Sequence, residues 1–344
     1  MGKQLFLLFL HITCSLSIFH RWYTPYSKIY PERAGQPLQD RRHAELKSRK
    51  VEKRNFVEKE LEERNLEDCM TVSHSESGIF SYSSSFPSEV CGLYLVGRPN
   101  QKIVVTLQTA ELSGECDQDI VVLVDGWELN GHVVPSDQDH SLPISERFVE
   151  VCQNSNQPVQ IVSSQNAAMV QFKISSPESK FTVSVEYIDN PDPCNVLMSE
   201  MTGVFKISNQ GEERNCSVTT LLFPAKVKLL EVNVGSRFKK RSVRRSRRGF
   251  NGIIPRCSEM GEKDFLELGG AEDLSSNLET KSTLCGFQPK PSIKDLTILC
   301  GSSTVRLVSS GEYRNSVTAL VQAATEDDLD ITKNIIMTCP KFEL

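Results

Sequence analysis

The sequence predicts an all-β protein made of two consecutive antiparallel β-sandwich modules closed by intradomain disulfides. Three observations predict it. Apolar residues recur with a period of two in short runs separated by Gly, Ser, Asn and Pro clusters, as strands with one face in a core require. Of 11 cysteines, one lies near the N-terminus and the other ten form an even set. A spacing also recurs: Cys69 is followed by Gly78, Phe80 and Cys91, and Cys194 by Gly203, Phe205 and Cys216, at the same three offsets. Such self-similarity marks a duplicated unit.

At 344 residues the chain accommodates two domains with tails, and a hydrophobic content of 39% supplies their cores. A net charge of -5 is modest and points to neither a nucleic-acid nor a membrane partner. Residues 1–20 read as a secretory signal peptide: Lys3, an apolar stretch from Leu5 to Leu10, then small residues at Ser15 and Ser17. The stretch is too short to span a bilayer securely, so a soluble, secreted product is expected, the alternative being an N-terminal anchor. Cys14 leaves with the leader, and in an oxidising compartment the remaining ten cysteines pair.

Residues 21–68 hold few apolar side chains. Tyr23, Tyr26 and Tyr30 sit among prolines, and from Arg41 to Glu67 the composition turns to Lys, Arg and Glu. Leu46, Val51, Phe56, Val57 and Leu61 form no clean stripe. The segment reads as a charged arm, an exposed helix or a disordered stretch, serving as pro-segment, linker or binding element.

From Cys69 the period is two. Ile103 to Leu107 is one strand. Asp119, the apolar run Ile120 to Val124 and Asp125-Gly126-Trp127 form a strand entering a tight turn. Ala168, Val170, Phe172 and Ile174 alternate, as do Phe181, Val183, Val185 and Tyr187 against Thr182, Ser184 and Glu186. The first module spans 69–189 and the second 194–340, with Asp189-Asn190-Pro191-Asp192-Pro193 as hinge. The run Asp264 to Gly270 echoes Asp119 to Gly126, one residue shorter, and Val305 to Val308 answers the strand after Ser163-Ser164. If each module closes its own pairs, the disulfides are Cys69–Cys91, Cys116–Cys152, Cys194–Cys216 and Cys257–Cys285, with Cys300–Cys339 as an extra pair.

Between Arg237 and Arg248, eight of twelve residues are Lys or Arg. This insertion, 237–248, reads as a solvated loop, a patch for heparin or an acidic surface, or a processing site. Arg245-Ser246-Arg247-Arg248 before Gly249 resembles the cleavage sites of furin-like convertases, which would cut after Arg248. Asn215-Cys216-Ser217 is an N-glycosylation sequon.

Enzyme signatures are missing from the sequence. His43, His74, His132 and His140 follow no metal-ligand spacing, no Cys-x-x-Cys occurs, and there is no Gly-x-Ser-x-Gly elbow, His-Glu-x-x-His pair or glycine-rich phosphate loop. Asp137-Gln138-Asp139-His140, between Pro135 and Pro143, reads as a surface loop. A binding protein without cofactor is expected, not an enzyme.

Paired cysteines, Asp-x5-Asp-Gly, a further cysteine and Ser-Ser-x-Asn before a strand resemble a CUB domain. That resemblance implies a compact antiparallel sandwich used for binding. Glu111 or Glu115 and Asp119 match part of the calcium site many such domains carry, but Ile174-Ser175-Ser176-Pro177-Glu178 lacks the usual Asp, so no strong calcium site is expected. The ordered set Val124-Asp125-Gly126-Trp127-Glu128-Leu129-Asn130-Gly131, Pro135 to His140 with Leu142-Pro143, Ser145-Glu146-Arg147-Phe148 and Ser163 to Met169, with the cysteine spacing and the Asn215 sequon, closely resembles the corticotropin-releasing factor binding protein family over about 69–340. The arm, the basic run and the tail depart from it and suit a distant, invertebrate member.

The resemblance implies a secreted monomer that sequesters a corticotropin-releasing-factor-like neuropeptide, in an invertebrate a diuretic-hormone-like one, and limits its access to receptor. The alternative is an extracellular CUB module protein binding another secreted protein or a glycan. The family implicates the segment around the first module cysteine, here Arg64, Glu67, Asp68 and Thr71. Trp127 stands as either a packing residue or a ligand platform.

Overall fold

The computed structural model describes residues 61–83, 89–155, 157–198, 202–235, 252–289, 291, 295–332 and 334–339. The signal peptide 1–20, arm residues 21–60, the basic run 237–248 and Arg248 lie outside the described residues.

The first half contributes β1 (Glu63–Asn65), β2 (Met70–His74), β3 (Gly78–Ser83), β4 (Val90–Val96), β5 (Gln101–Glu111), β6 (Asp119–Asp125), β7 (Trp127–Leu129), β8 (His132–Val134), β9 (Phe148–Val151), β10 (Val159–Val162), β11 (Ala167–Ile174) and β12 (Lys180–Asp189). They form two five-stranded sheets, β1-β3-β12-β5-β10 and β2-β4-β11-β6-β9, and a β7-β8 hairpin. Between the two large sheets lies a core that includes Phe80, Leu93, Leu95, Val105, Leu123, Phe172 and Phe181.

The second half contributes β13 (Asn195–Met198), β14 (Thr202–Ser208), β15 (Cys216–Thr220), β16 (Ala225–Val234), β17 (Gly252–Pro255), β18 (Phe265–Ala271), β19 (Glu279–Gln288), β20 (Leu296–Leu299), β21 (Ser302–Val308), β22 (Ser316–Ala323) and β23 (Ile335–Thr338). One hydrogen-bonded path runs β13-β15-β21-β18-β19-β16-β20-β23. β14, β22 and β16 continue it as neighbours, and β17 pairs with β19. A second core of Phe205, Val218, Leu266, Ile298, Leu307 and Val321 lies inside.

Register makes the duplication explicit. Cys91 stands opposite Phe172, which stands opposite Val121; Cys216 stands opposite Leu307, which stands opposite Leu266. β2-β4-β11-β6 therefore corresponds to β13-β15-β21-β18, and β3-β12-β5-β10 to β14-β22-β16-β20. Asp264 takes the place of Asp119, and Gly270 that of Asp125. This corrects the one-residue deficit read from the sequence: by register Ala271, and not Gly270, stands where Gly126 does, so the two runs are equally long.

Burial explains why some strands alternate and others do not. β5 keeps one face in the core and alternates along most of its length, whereas β4 is buried at every position after Val90 and β6 at all but Ile120. The sheet holding β4, β6 and β11 is covered on both faces, by the first core and by a seam with the second half. A strand covered on both sides reads as a continuous apolar run.

The end of the predicted arm needs correction. Residues 61–68 are neither helical nor separate from the first module: β1 pairs in parallel with β3, and Leu66 is buried with its N–H donating to Ser81 O at 2.9 Å. The charged composition hid this strand because pairing needs only the backbone and one apolar anchor, while Glu62 and Glu63 stay at the exposed edge.

Five disulfides join Cys69 to Cys91, Cys116 to Cys152, Cys194 to Cys216, Cys257 to Cys285 and Cys300 to Cys339. The last ties the end of β20 to the end of β23, which run in parallel.

Candidate functional site

The segment implicated near the first cysteine crosses from one sheet to the other. Arg64 sits on β1 opposite Phe80 at the sheet edge. Its guanidinium donates to Glu62 at 2.8 Å and to Glu76 at 2.7 Å, tying β1 to the turn between β2 and β3. These hydrogen bonds raise its pKa, the one to Glu62 most strongly. Leu66 then turns inward while Glu67 and Asp68 point outward, and Thr71 Oγ1 donates to Asp68 O at 3.2 Å. Arg64, Glu67, Asp68 and Thr71 thus lie along one exposed bend.

Trp127 is elsewhere. Its side chain is buried, its indole N–H donates to Leu95 O at 2.9 Å, and its ring meets Tyr94 edge-on at 5.2 Å between centroids. It packs in a third apolar cluster with Val122, Val124, Met169 and Leu197. With 5% of its surface exposed, Trp127 packs within this cluster.

That cluster is the seam between the halves, and polar groups complete it. Asn166, fully buried, accepts the Leu197 N–H at 2.9 Å and donates to Leu197 O at 2.7 Å, gripping the first strand of the second half. Gln165 Oε1 accepts from Cys194 N at 3.0 Å and from Asn190 Nδ2 at 3.1 Å. The Pro-rich hinge is therefore pinned, with Asn190 N also donating to Asn100 O. The Ser-Ser-Gln-Asn motif was visible in the sequence but its partners were not. Buried amides demand partners, and that demand is the only sequence-level signal available.

The loop from Pro135 to Pro143 straps across the same seam. Inside it, Arg147 is buried and donates to Asp125 O at 3.0 Å and Pro135 O at 2.7 Å. Burial pushes its pKa down. A side chain at Gly126, whose φ is +110°, would strike Val134 O and the Arg147 guanidinium, so the Asp-Gly turn requires glycine. His140 Nδ1 accepts the Leu142 N–H at 2.9 Å, which directs its Nε2 at Asp125 Oδ2, 3.3 Å away. Burial opposes ionisation of Asp125, yet His140 and Ser164 outweigh it and hold the carboxyl below its usual range. Outside, Arg306 of the second half binds Asp139 at 2.7 Å and Glu267 at 2.8 Å, and Asn195 donates to Asp139 O at 2.6 Å. The surface loop expected from sequence is a docking strap.

Asn215 of the sequon is half-buried at this strap, its Nδ2 donating to Gln138 O at 2.9 Å and its Oδ1 accepting Ser309 N at 3.3 Å. Asp119 accepts from Gly114 N, Ser175 N, Ser176 N and Ser179 Oγ. Asp264 does the same with Ser310 and Asn315. Both acids clamp loops, Asp119 accepting four hydrogen bonds and Asp264 three, all from protein donors. Among the described residues no three His, Cys, Asp or Glu side chains gather as a metal site, and no helix is long and apolar enough to cross a membrane.

The family model of the corticotropin-releasing factor binding protein N-terminal domain matches residues 61–189, and that of its C-terminal domain matches 196–330. The chain belongs to the corticotropin-releasing factor binding protein family. The N-terminal match begins at 61, where β1 enters the first sheet. Family relatives include the corticotropin-releasing factor-binding proteins of Xenopus laevis, 31% identical over 269 residues covering 77% of this chain and 78% of that one, and of Homo sapiens, 30% identical over 246 residues covering 71% and 72%. Among solved structures, the CUB1-EGF-CUB2 domains of rat MASP-1 align over 74% of this chain and 100% of that chain at 10% identity, with a TM-score of 0.26. The full extracellular region of zebrafish Gpr126/Adgrg6 aligns over 78% and 35% at 13% identity, with a TM-score of 0.28.

Proposed function

We propose that this protein is secreted, binds a corticotropin-releasing-factor-type peptide and holds it away from its receptor, the ligand being diuretic-hormone-like in an invertebrate. The observation that carries the reading is the paired match, with both family domains present in order over 61–189 and 196–330. Peptides of this type are amphipathic helices, which bind by laying an apolar face on a partner and fixing its register with polar contacts at the rim. Arg64 on β1 and Asp68 on the exposed bend that follows it are the proposed rim contacts. Arg64 is held in place by Glu62 and Glu76, so it offers its remaining surface without the entropy cost of ordering a free side chain. The two modules extend from 61 to 189 and from 194 to 340, and the protein acts as a monomer without a cofactor. Asn215 is the proposed glycan acceptor, checked by the mass lost on enzymatic deglycosylation.

The test is fluorescence anisotropy of a labelled corticotropin-releasing-factor-type peptide titrated with the purified secreted protein. Saturable binding at or below micromolar concentration is expected, with Arg64→Ala weakening it about fivefold, roughly 1 kcal/mol. Absence of binding to any peptide of the class, with retention on another secreted protein or a glycan, would instead favour the general extracellular module.

A further inference from the structure

The two modules finish corresponding sheet edges differently. In the first, β1 covers the edge of β3: Ile79 N–H donates to Glu62 O and Leu66 N–H to Ser81 O, both at 2.9 Å, and Leu66 enters the core. The corresponding strand β14 has the same register against β22 that β3 has against β12, with Gly203 opposite Val321 and Phe205 opposite Ala319, as Gly78 is opposite Val185 and Phe80 opposite Val183. Among the described residues β14 pairs only with β22. By this register the N–H of Val204 and the C=O of Lys206 face away from β22, where their counterparts Ile79 and Ser81 meet β1. Val204 is 61% exposed. Beside this edge lies a hollow of about 370 Å³ whose lining includes Pro193, Val196, Phe205, Ile207 and Val218. Phe205, Ile207 and Val218 correspond to Phe80, Tyr82 and Leu93, which share one cluster with Leu66. An unpaired edge beside an apolar hollow is a template for strand addition.

We propose that the edge of β14 and its hollow form a second binding site, for an extended acidic segment of a partner protein with the pattern acidic-x-x-leucine. The first module shows the occupant's chemistry, since Glu63-Arg64-Asn65-Leu66 fills the matching seat. There the Glu63 carboxylate accepts the Ser81 hydroxyl at 2.9 Å. The residue in the place of Ser81 is Lys206, exposed and cationic, so a carboxylate in the place of Glu63 meets an ammonium. The hollow takes the leucine, and the backbone of Val204 and Lys206 takes the ladder hydrogen bonds. This site is separate from the bend carrying Arg64 and Asp68, and its occupant is extended and not helical.

The probe is a fluorescently labelled synthetic peptide copying residues 61–68, Leu-Glu-Glu-Arg-Asn-Leu-Glu-Asp, titrated into the full secreted protein. Saturable binding is expected, falling at least about tenfold when the leucine equivalent to Leu66 is replaced by aspartate. Val204→Pro removes the outward N–H and no bond to β22, and abolishes binding. Lys206→Glu, at an exposed position that leaves folding intact, weakens the peptide about fivefold and is rescued by a peptide carrying lysine in place of Glu63. The proposal is overturned by no saturable binding to wild type, or by equal binding to wild type and Lys206→Glu. Self-association of the protein that Val204→Pro abolishes would also overturn it, placing a second copy at the edge.

Discussion

Arg306 and Asp139 are 167 residues apart in the chain and 2.7 Å apart in space. The contact crosses from the strap of the first module to β21 of the second, and Glu267 closes it from the other side at 2.8 Å. Burial opposes the Arg306 charge, but the two carboxylates outweigh it and raise its pKa. Its side chain is 14% exposed, so solvent screens the group only in part. Arg306→Met leaves two carboxylates facing each other without a cation. Calorimetry is expected to show a loss of about 2 kcal/mol, near 5 °C in the unfolding midpoint. Asp139→Asn costs less, because Glu267 still pairs. A double-mutant cycle measures their coupling, expected at about 1 kcal/mol. A coupling of zero would remove this pair from the account of the seam.

Trp127→Ala opens a cavity between the modules, so about 3–5 kcal/mol of stability is expected to go, with the near-ultraviolet dichroism of the Trp127–Tyr94 pair. Trp127→Phe fills most of the volume but leaves Leu95 O without its donor, for about 1–2 kcal/mol. Peptide affinity of the folded Phe variant is expected to equal wild type. A loss of affinity without a loss of stability would contradict the packing role.

What the sequence disclosed and what it concealed follow one physical line. Phe181, Val183 and Val185 alternate with polar residues because β12 has one face in the core, and such strands announce themselves. β11 reads as alternating through Ala168, Val170, Phe172 and Ile174, yet Ala167 and Met169 are buried as well, against the seam. No local pattern tells a second covered face from an apolar surface. Trp127 fell into that ambiguity. The 135–143 loop lies at the surface as its sequence implies, with Asp137 and Gln138 exposed, but its docking role was hidden for a related reason: Asp139 is polar and flanked by prolines, and its partner Arg306 lies far along the chain. β1 was missed because it borrows its hydrogen bonds from β3 and only Leu66 marks it. The cysteine repeat was legible since identical offsets need no tertiary information.

Stability at low pH follows the buried carboxylates. Lys226 Nζ, 2.6 Å away, and the backbone and hydroxyl of Thr325 hold Asp328 down to about 2. Burial opposes ionisation of Asp119, but hydrogen bonds from Ser179, Ser175 and Ser176 outweigh it and hold that carboxyl far below its usual range. A carboxyl depressed in the folded state stabilises it above the unfolded value, near 4, and loses that contribution as pH falls through the folded value. The thermal midpoint is expected to hold from neutral pH to about pH 4 and to drop between pH 4 and pH 2. Asp328→Asn lowers the midpoint at pH 7 and flattens that drop. A variant with the full acid loss of wild type would show that Asp328 does not carry it.

Cleavage after Arg248, if the basic run is a processing site, has a defined structural consequence. Cys194–Cys216 lies wholly before the cut, and Cys257–Cys285 and Cys300–Cys339 wholly after it. No described disulfide joins the two sides. Strand pairing does: β14 and β16 before the cut pair with β22 after it, and β15 pairs with β21, so core residues such as Val218 and Leu307 stay interleaved. The cut protein is expected to run as two fragments on a non-reducing denaturing gel and to elute as one species, with the mass of the intact chain, from a native sizing column. Arg248→Ala is expected to give a single band on the same gel. One band from wild-type secreted protein would remove processing. Two species on the native column would show that the sheet contacts alone do not hold the second module together.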